Sequence, residues 1–157
     1  MIGRQNLVEG VLSFSVKIDG SDATQKIISK AGRSHFKDQI RLIALHGVTL
    51  AGLNMVDIIK VNKELKMPVA SIIRRKPHSK ELEKAIRIAG SNSAKRLALL
   101  NKLNTELKIA RSKGFYVQLS GISGKEFAKF QESAIRLLRL AHLIANGIAR
   151  GESKGRI

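Results

Sequence analysis

The sequence predicts an α/β fold, a mixed sheet flanked by helices, and three observations carry that reading. Apolar Leu12, Phe14, Val16 and Ile18 alternate with Ser13, Ser15 and Lys17, the period of a half-buried strand. The short runs 69–73 and 115–119 are apolar, β-branched or aromatic, and resist a helical period. Between them lie segments whose apolar residues recur three and four apart. The resulting order of strand, helix, strand, helix, strand, helix is that of a layered domain.

Taken in order, a strand is predicted over Leu7–Asp19, closed by the turn cluster Asp19-Gly20-Ser21-Asp22. Ala23, Ile27, Ile28 and Ala31 then mark a short amphipathic helix that Asp22 is placed to cap. Ile40–Leu45 reads as a buried strand, and His46–Asn54 as a loop with two glycines. Asn54 is the predicted cap of a helix carrying Val56, Ile59, Lys60 and Lys63. Pro68 opens a strand over Val69–Ile73, which exits into Arg74-Arg75-Lys76-Pro77-His78. Ser79 caps a helix that Gly90 stops, and Ser91 or Ser93 starts another running to about Leu103. Leu107–Ala110 and Phe115–Leu119 read as strands joined by a turn at Arg111–Gly114. Ser123 caps a helix to about Glu132, and a longer apolar-faced helix follows with Leu137, Leu138, Leu140, Ala141, Ile144 and Ile148.

A chain of 157 residues, 43% hydrophobic and 26% charged, suits one globular domain. No apolar run approaches the roughly 20 residues a membrane span needs, and the first residues lack a signal peptide's apolar stretch. A cytoplasmic protein is expected. The absence of cysteine excludes disulfides, zinc–thiolate centres and cysteine nucleophiles. Charge is the strongest compositional feature: 29 Lys+Arg against 12 Asp+Glu leaves +17. The excess runs through the whole chain and favours a polyanion, nucleic acid first, through phosphate neutralisation and counterion release. Aromatic residues are only 4%, with no Trp, so contact with the phosphate backbone is expected rather than base stacking.

The residues with chemistry to offer are few. Asp19 and Asp22, three apart at a predicted strand end, have the spacing to share one Mg²⁺, or else to bond their own turn. His46, at the end of a strand and before a glycine, is a metal ligand, a general base, a phosphate donor, or a hydrogen-bonded structural residue. Asp57 falls in a first helical turn, where the helix dipole favours it. Arg74, Arg75 and Lys76 are the best phosphate contacts, with Arg150, Lys154 and Arg156 as a second cationic group.

Five segments in this order carry a resemblance. They are Val8-Glu9-Gly10-Val11-Leu12-Ser13, Asp19-Gly20-Ser21-Asp22-Ala23-Thr24, Ile43 to Asn54, Arg74-Arg75-Lys76-Pro77, and Arg139-Leu140-Ala141-His142-Leu143-Ile144-Ala145 with the residues from Arg150 to Arg156. The chain resembles, from about Glu9 to Ile157, the largely archaeal family related to endonuclease V, the endonuclease dU family. The resemblance implies a ribonuclease-H-like domain over residues 1–157 and Mg²⁺-dependent cleavage of DNA at deaminated bases such as deoxyuridine. It implies Asp19, Asp22 and Asp57 as metal ligands, and Asp19, Asp22 and His46 as the catalytic set. Two departures accompany it. Relatives begin with a further strand bearing a Gly-(Ile/Val)-Asp-Asp motif, and have Leu-Asp-Gly where this chain has Leu45-His46-Gly47. Three functions follow: a nuclease-like domain that binds nucleic acid and cleaves weakly, an active repair endonuclease, or a non-enzymatic coating protein. The first departure also implies an open sheet edge. Either the chain self-associates there, or Leu7–Ile18 moves into the vacated place.

Overall fold

The structure, a computed structural model, describes residues 2–4, 7–77, 79–90 and 92–151. Its centre is β6. The run Val69–Ile73 is buried along nearly its whole length, as a strand covered on both faces must be. Numbering in chain order, β1 is Ile2–Arg4, β2 Leu7–Gly10, α1 Ala23–Gly32, β3 Ile43–Leu45, β4 Thr49–Leu50, β5 Asn54–Met55 and α2 Ile58–Leu65. After β6 come α3 Ser79–Ile88, α4 Ser93–Glu106, β7 Ala110–Ser112, β8 Phe115–Ser120 and α5 Gly124–Arg150. The main sheet has the order β3-β6-β8-β7. β6 pairs parallel with β3 (Ala44 beside Ala70) and antiparallel with β8 (Ser71 beside Gln118), so the sheet is mixed. β7 and β8 form a hairpin whose two turn residues, Lys113 and Gly114, both have positive φ, 44° and 83°. That conformation matches the strands' own twist. A two-residue turn explains why the strand predicted at Leu107–Ala110 lies instead at Ala110–Ser112.

Helices cover both faces. On one, Ala23, Ile27 and Ile28 of α1, Ile58, Ile59 and Val61 of α2 and Leu103 of α4 pack over Val69. On the other, Phe127 and Ala134 of α5 pack over Ala70, Ile72 and Val117. Burial of Phe127, which is fully enclosed, contributes about 1.5–3 kcal/mol. The two helices predicted after Ser123 are one. Phe127, Gln131, Ala134 and Leu138 keep helical spacing through the predicted break, with no Gly or Pro to interrupt it. Ser123 caps that helix as predicted: its Oγ accepts from the Glu126 amide (3.2 Å), while the Glu126 carboxylate accepts from the Ser123 amide (3.1 Å). Gln131, also buried, donates to the Ser112 carbonyl (2.8 Å) and so ties α5 to the sheet edge.

Three further predictions change. The strand at Ile40–Leu45 contracts to Ile43–Leu45, because Lys37–Gln39 form a 3₁₀ turn and the Ile40 amide reaches back to Phe36. The cap of α2 is Asp57, whose carboxylate accepts from the Lys60 amide (2.9 Å); Asn54 belongs to β5. The largest change is at Leu7–Asp19. Only Leu7–Gly10 is strand, paired with β1 in a separate hairpin, and residues 11–17 have no regular secondary structure. Leu7–Ile18 therefore does not enter the main sheet. Alternation settles which side chains share a face, but a strand also needs a hydrogen-bonded edge beside it. No helix among the described residues is long and apolar enough to cross a membrane.

Candidate functional site

Asp19, Asp22 and Asp57 all lie around the approach to α1 and α2, and each is occupied. Asp19 adopts a left-handed backbone (φ 50°), and its Oδ1 accepts from the Leu53 amide at 2.7 Å. Its amide donates to the Ala51 carbonyl (2.9 Å), and its own carbonyl accepts from the buried Arg96 guanidinium of α4. Gly52 is needed beside it. A Cβ there would stand 2.3 Å from Asp19 Oδ1, and Gly52 itself has φ 81°. Asp22 does not use its side chain to cap α1. That task falls to the fully buried Asn54, whose Oδ1 accepts from the Ala23 amide (3.1 Å). The Asn54 Nδ2 donates to the Lys17 carbonyl (2.9 Å) and to Asp22 Oδ1 (2.6 Å). The Asn54 amide is the main reason the Asp22 carboxyl is lowered from 3.8 to about 2, with Lys26 (3.1 Å) adding to it. Asp57, besides capping α2, pairs its Oδ2 with Lys102 at 2.8 Å.

These carboxylates do not fit a Mg²⁺ ion. Asp22 and Asp57 each face a lysine ammonium whose place a cation would have to take, and protein donors already hold both oxygens of each. Among the described residues no three His, Asp or Glu side chains gather around one point. Nor does the structure join His46 to them. It follows β3 on the opposite side of the sheet, facing α5.

There His46 meets a residue to which sequence reasoning gave no role, His142 of α5. The imidazole centroids are 6.4 Å apart, with ring planes at 49°. His142 Nε2 lies 2.8 Å from the Asn146 amide one turn on, which orients the ring. A cleft of 10 Å³, room for about one water, runs from His46 to Arg74 over Ile72, Phe115, Ile135 and Leu138. Partial burial, and secondarily the charge of His142, push the His46 pKa below 6.5, which keeps its ring neutral at neutral pH. The helical register held the clue to His142. The stripe Phe127, Gln131, Ala134, Leu138 continues at position 142, where a histidine replaces the apolar residue.

Arg74, Arg75 and Lys76 leave β6 beside this cleft, all exposed, and none has an acidic partner among the described residues. Arg150 is the last residue of α5. Lys154 and Arg156, like His78, lie outside the described residues. Imidazole nitrogens offer hydrogen bonds, and a guanidinium binds phosphate oxygens in pairs. The rim formed by His46, His142 and Arg74 is therefore equipped to hold an oxyanion.

Residues 1–149 match the Endonuclease dU family. A UPF0215 protein of Archaeoglobus fulgidus is 37% identical over 155 residues, 95% of this chain and 83% of that one. Another, of Thermococcus sibiricus, is 37% identical over 160 residues, 98% and 80% of the two chains. The crystal structure of a protein of unknown function from Archaeoglobus fulgidus superposes with a TM-score of 0.84 at 36% identity, covering 91% of this chain and 84% of that chain. A family match across nearly the whole chain, relatives of this identity and a shared three-dimensional course agree: this chain belongs to the Endonuclease dU family.

Proposed function

We propose that this protein is a nuclease-like, nucleic-acid-binding domain of ribonuclease-H-like descent that grips the phosphate backbone at the His46–His142–Arg74 rim. One observation carries the reading. At the C-terminal ends of the parallel strands β3 and β6, where open α/β sheets hold their ligands, two exposed imidazoles stand beside a cationic run that has no carboxylate partner among the described residues. The net charge of +17 supplies long-range attraction, and Arg74, Arg75 and Lys76 supply contacts that release counterions. Family membership directs the choice of ligand toward DNA carrying deaminated bases, a repair substrate. The carboxylates that would hold Mg²⁺ are committed to the fold, so binding is the primary activity and hydrolysis is weak.

The test is a salt titration of binding to duplexes with and without deoxyuridine, in the presence and absence of Mg²⁺. Preference for the lesion, with a salt slope reduced by about 0.9 in Arg74→Gln, supports the reading. Equal affinity for both duplexes with a steep slope identifies a coating protein. Efficient Mg²⁺-dependent nicking identifies an active endonuclease and overturns the claim of weak hydrolysis.

A further inference from the structure

Of the ten exposed large apolar residues among those described, five fall in one stretch of eleven: Val8, Val11, Leu12, Phe14 and Ile18. Val11–Val16 is also uncharged in a chain of net +17, so it offers nothing to a polyanion and repels a second copy least. Its backbone is used on one side only. The Ser15 carbonyl accepts from Lys26 Nζ, the Lys17 amide donates to Asp22 (3.2 Å), and the Lys17 carbonyl accepts from Asn54. In an extended chain both polar groups of a residue point to the same edge, and those of its neighbour to the other. The odd-numbered edge is thus held by the domain itself. The even-numbered edge of Leu12, Phe14 and Val16 finds no backbone partner among the described residues. Val16 packs on the α1–α2 core, which anchors the segment in place.

The order of side chains indicates what adds to that edge. Outward from Phe14 the pattern is the same in both directions: Ser13 and Ser15, then Leu12 and Val16. A two-fold contact requires such self-complementarity. We propose that Val11–Lys17 is a dimerisation strand, to which a second copy of this chain adds antiparallel, Phe14 opposite Phe14. In that register Leu12 faces Val16 and Ser13 faces Ser15, an aromatic pair flanked by aliphatic and hydroxyl pairs that suit cross-strand neighbours. One added strand buries less than the about 1,200 Å² of a standard interface, so the dimer forms in the micromolar range.

Sedimentation equilibrium of the full chain, freed of nucleic acid in high salt, tests this over about 1–200 μM. The expected result is a monomer–dimer equilibrium. Phe14→Lys sets two like charges face to face and raises the dissociation constant at least about tenfold, whereas Phe14→Leu changes it much less. The absence of native cysteine allows a register test that does not rely on the lysine variant folding. Phe14→Cys cross-links to itself, and Ser13→Cys cross-links to Ser15→Cys in a mixture. Neither serine variant links alone, since diagonal neighbours about 7–8 Å apart exceed disulfide reach. A monomer throughout the range, a dimer indifferent to Phe14→Lys, or self-linking of Ser13→Cys as fast as the mixture would each overturn the proposal.

Discussion

Two polar clusters, on opposite faces of one sheet, use the same kinds of residues to opposite ends. In the first, Asp19, Asp22, Asn54 and Asp57 are joined to amides and lysines that fix the approach to α1 and α2. In the second, His46 and Arg74 line a water-sized cleft, His142 stands beside His46, and all three side chains are exposed. The contrast teaches that residue type alone does not locate chemistry. A carboxylate at a strand-to-helix turn is a ready acceptor for the orphan amides of the next helix, and the fold takes it. A histidine past the end of a strand has no such amides to satisfy, and stays available.

If the first cluster is structural and the second functional, substitutions should divide into losses of stability and losses of binding. Asn54→Ala has the largest expected effect. It strands the buried Ala23 amide and removes the amide that holds Asp22, and should cost about 3 kcal/mol in urea unfolding, with no specific change in nucleic-acid affinity at temperatures where the protein remains folded. Gly52→Ala comes next, at about 1–3 kcal/mol, because a side chain at φ 81° is strained and its Cβ collides with the Asp19 carboxylate.

Asp22 sharpens the comparison through pH. Its pKa is depressed in the folded state, so its contribution is fully present above the unfolded value near 3.8 and is lost as pH falls toward about 2. Acid unfolding of Asp22→Asn should accordingly be less steep over that window than that of the parent protein, with both followed by circular dichroism. The smallest effect on stability is expected for His142→Ala, within about 0.5 kcal/mol, since the ring is exposed. Its readout is elsewhere. A histidine whose folded pKa is lowered makes the protein less stable as pH falls through the unfolded value near 6.5; removing the His142 charge should move the His46 titration upward by NMR and reduce that loss. Affinity for duplex DNA should fall at the same time. A His142→Ala variant that unfolds like Asn54→Ala, or binds like the parent, would end the distinction between the clusters.

The sheet's interior strands were legible because their residues are locally consistent with their place. Val69–Ile73 and Phe115–Ser120 are apolar runs bounded by Pro, Gly and charge, and both are strands. Ser123 and Glu126 announced the start of α5 by spacing alone. Leu12–Ile18 has an equally clear period and is not in a strand, because what it lacks is a neighbouring edge, and no local pattern reports a neighbour. The site was less legible for the same reason. Asn54 looked like a cap for the helix after it, yet it caps α1, 31 residues earlier in sequence. His142 gave a readable helical phase but no hint of His46, 96 positions away.

The placement of α5 has a consequence for how the chain is made. The face of β6 carrying Ala70 and Ile72 is sealed by Phe127 and Ala134, which are synthesised more than fifty residues later. At about 5–20 residues per second, that face stays wet for roughly 3–10 s on the ribosome after its own strand is complete. The opposite layer is delayed less, since α1 and α2 precede β6 in the chain and only α4, with Leu103, follows it. Once α4 is made, nascent chains therefore pass through a half-dressed intermediate with one finished layer and one bare one, and any holding chaperone would meet this protein on the α5 face.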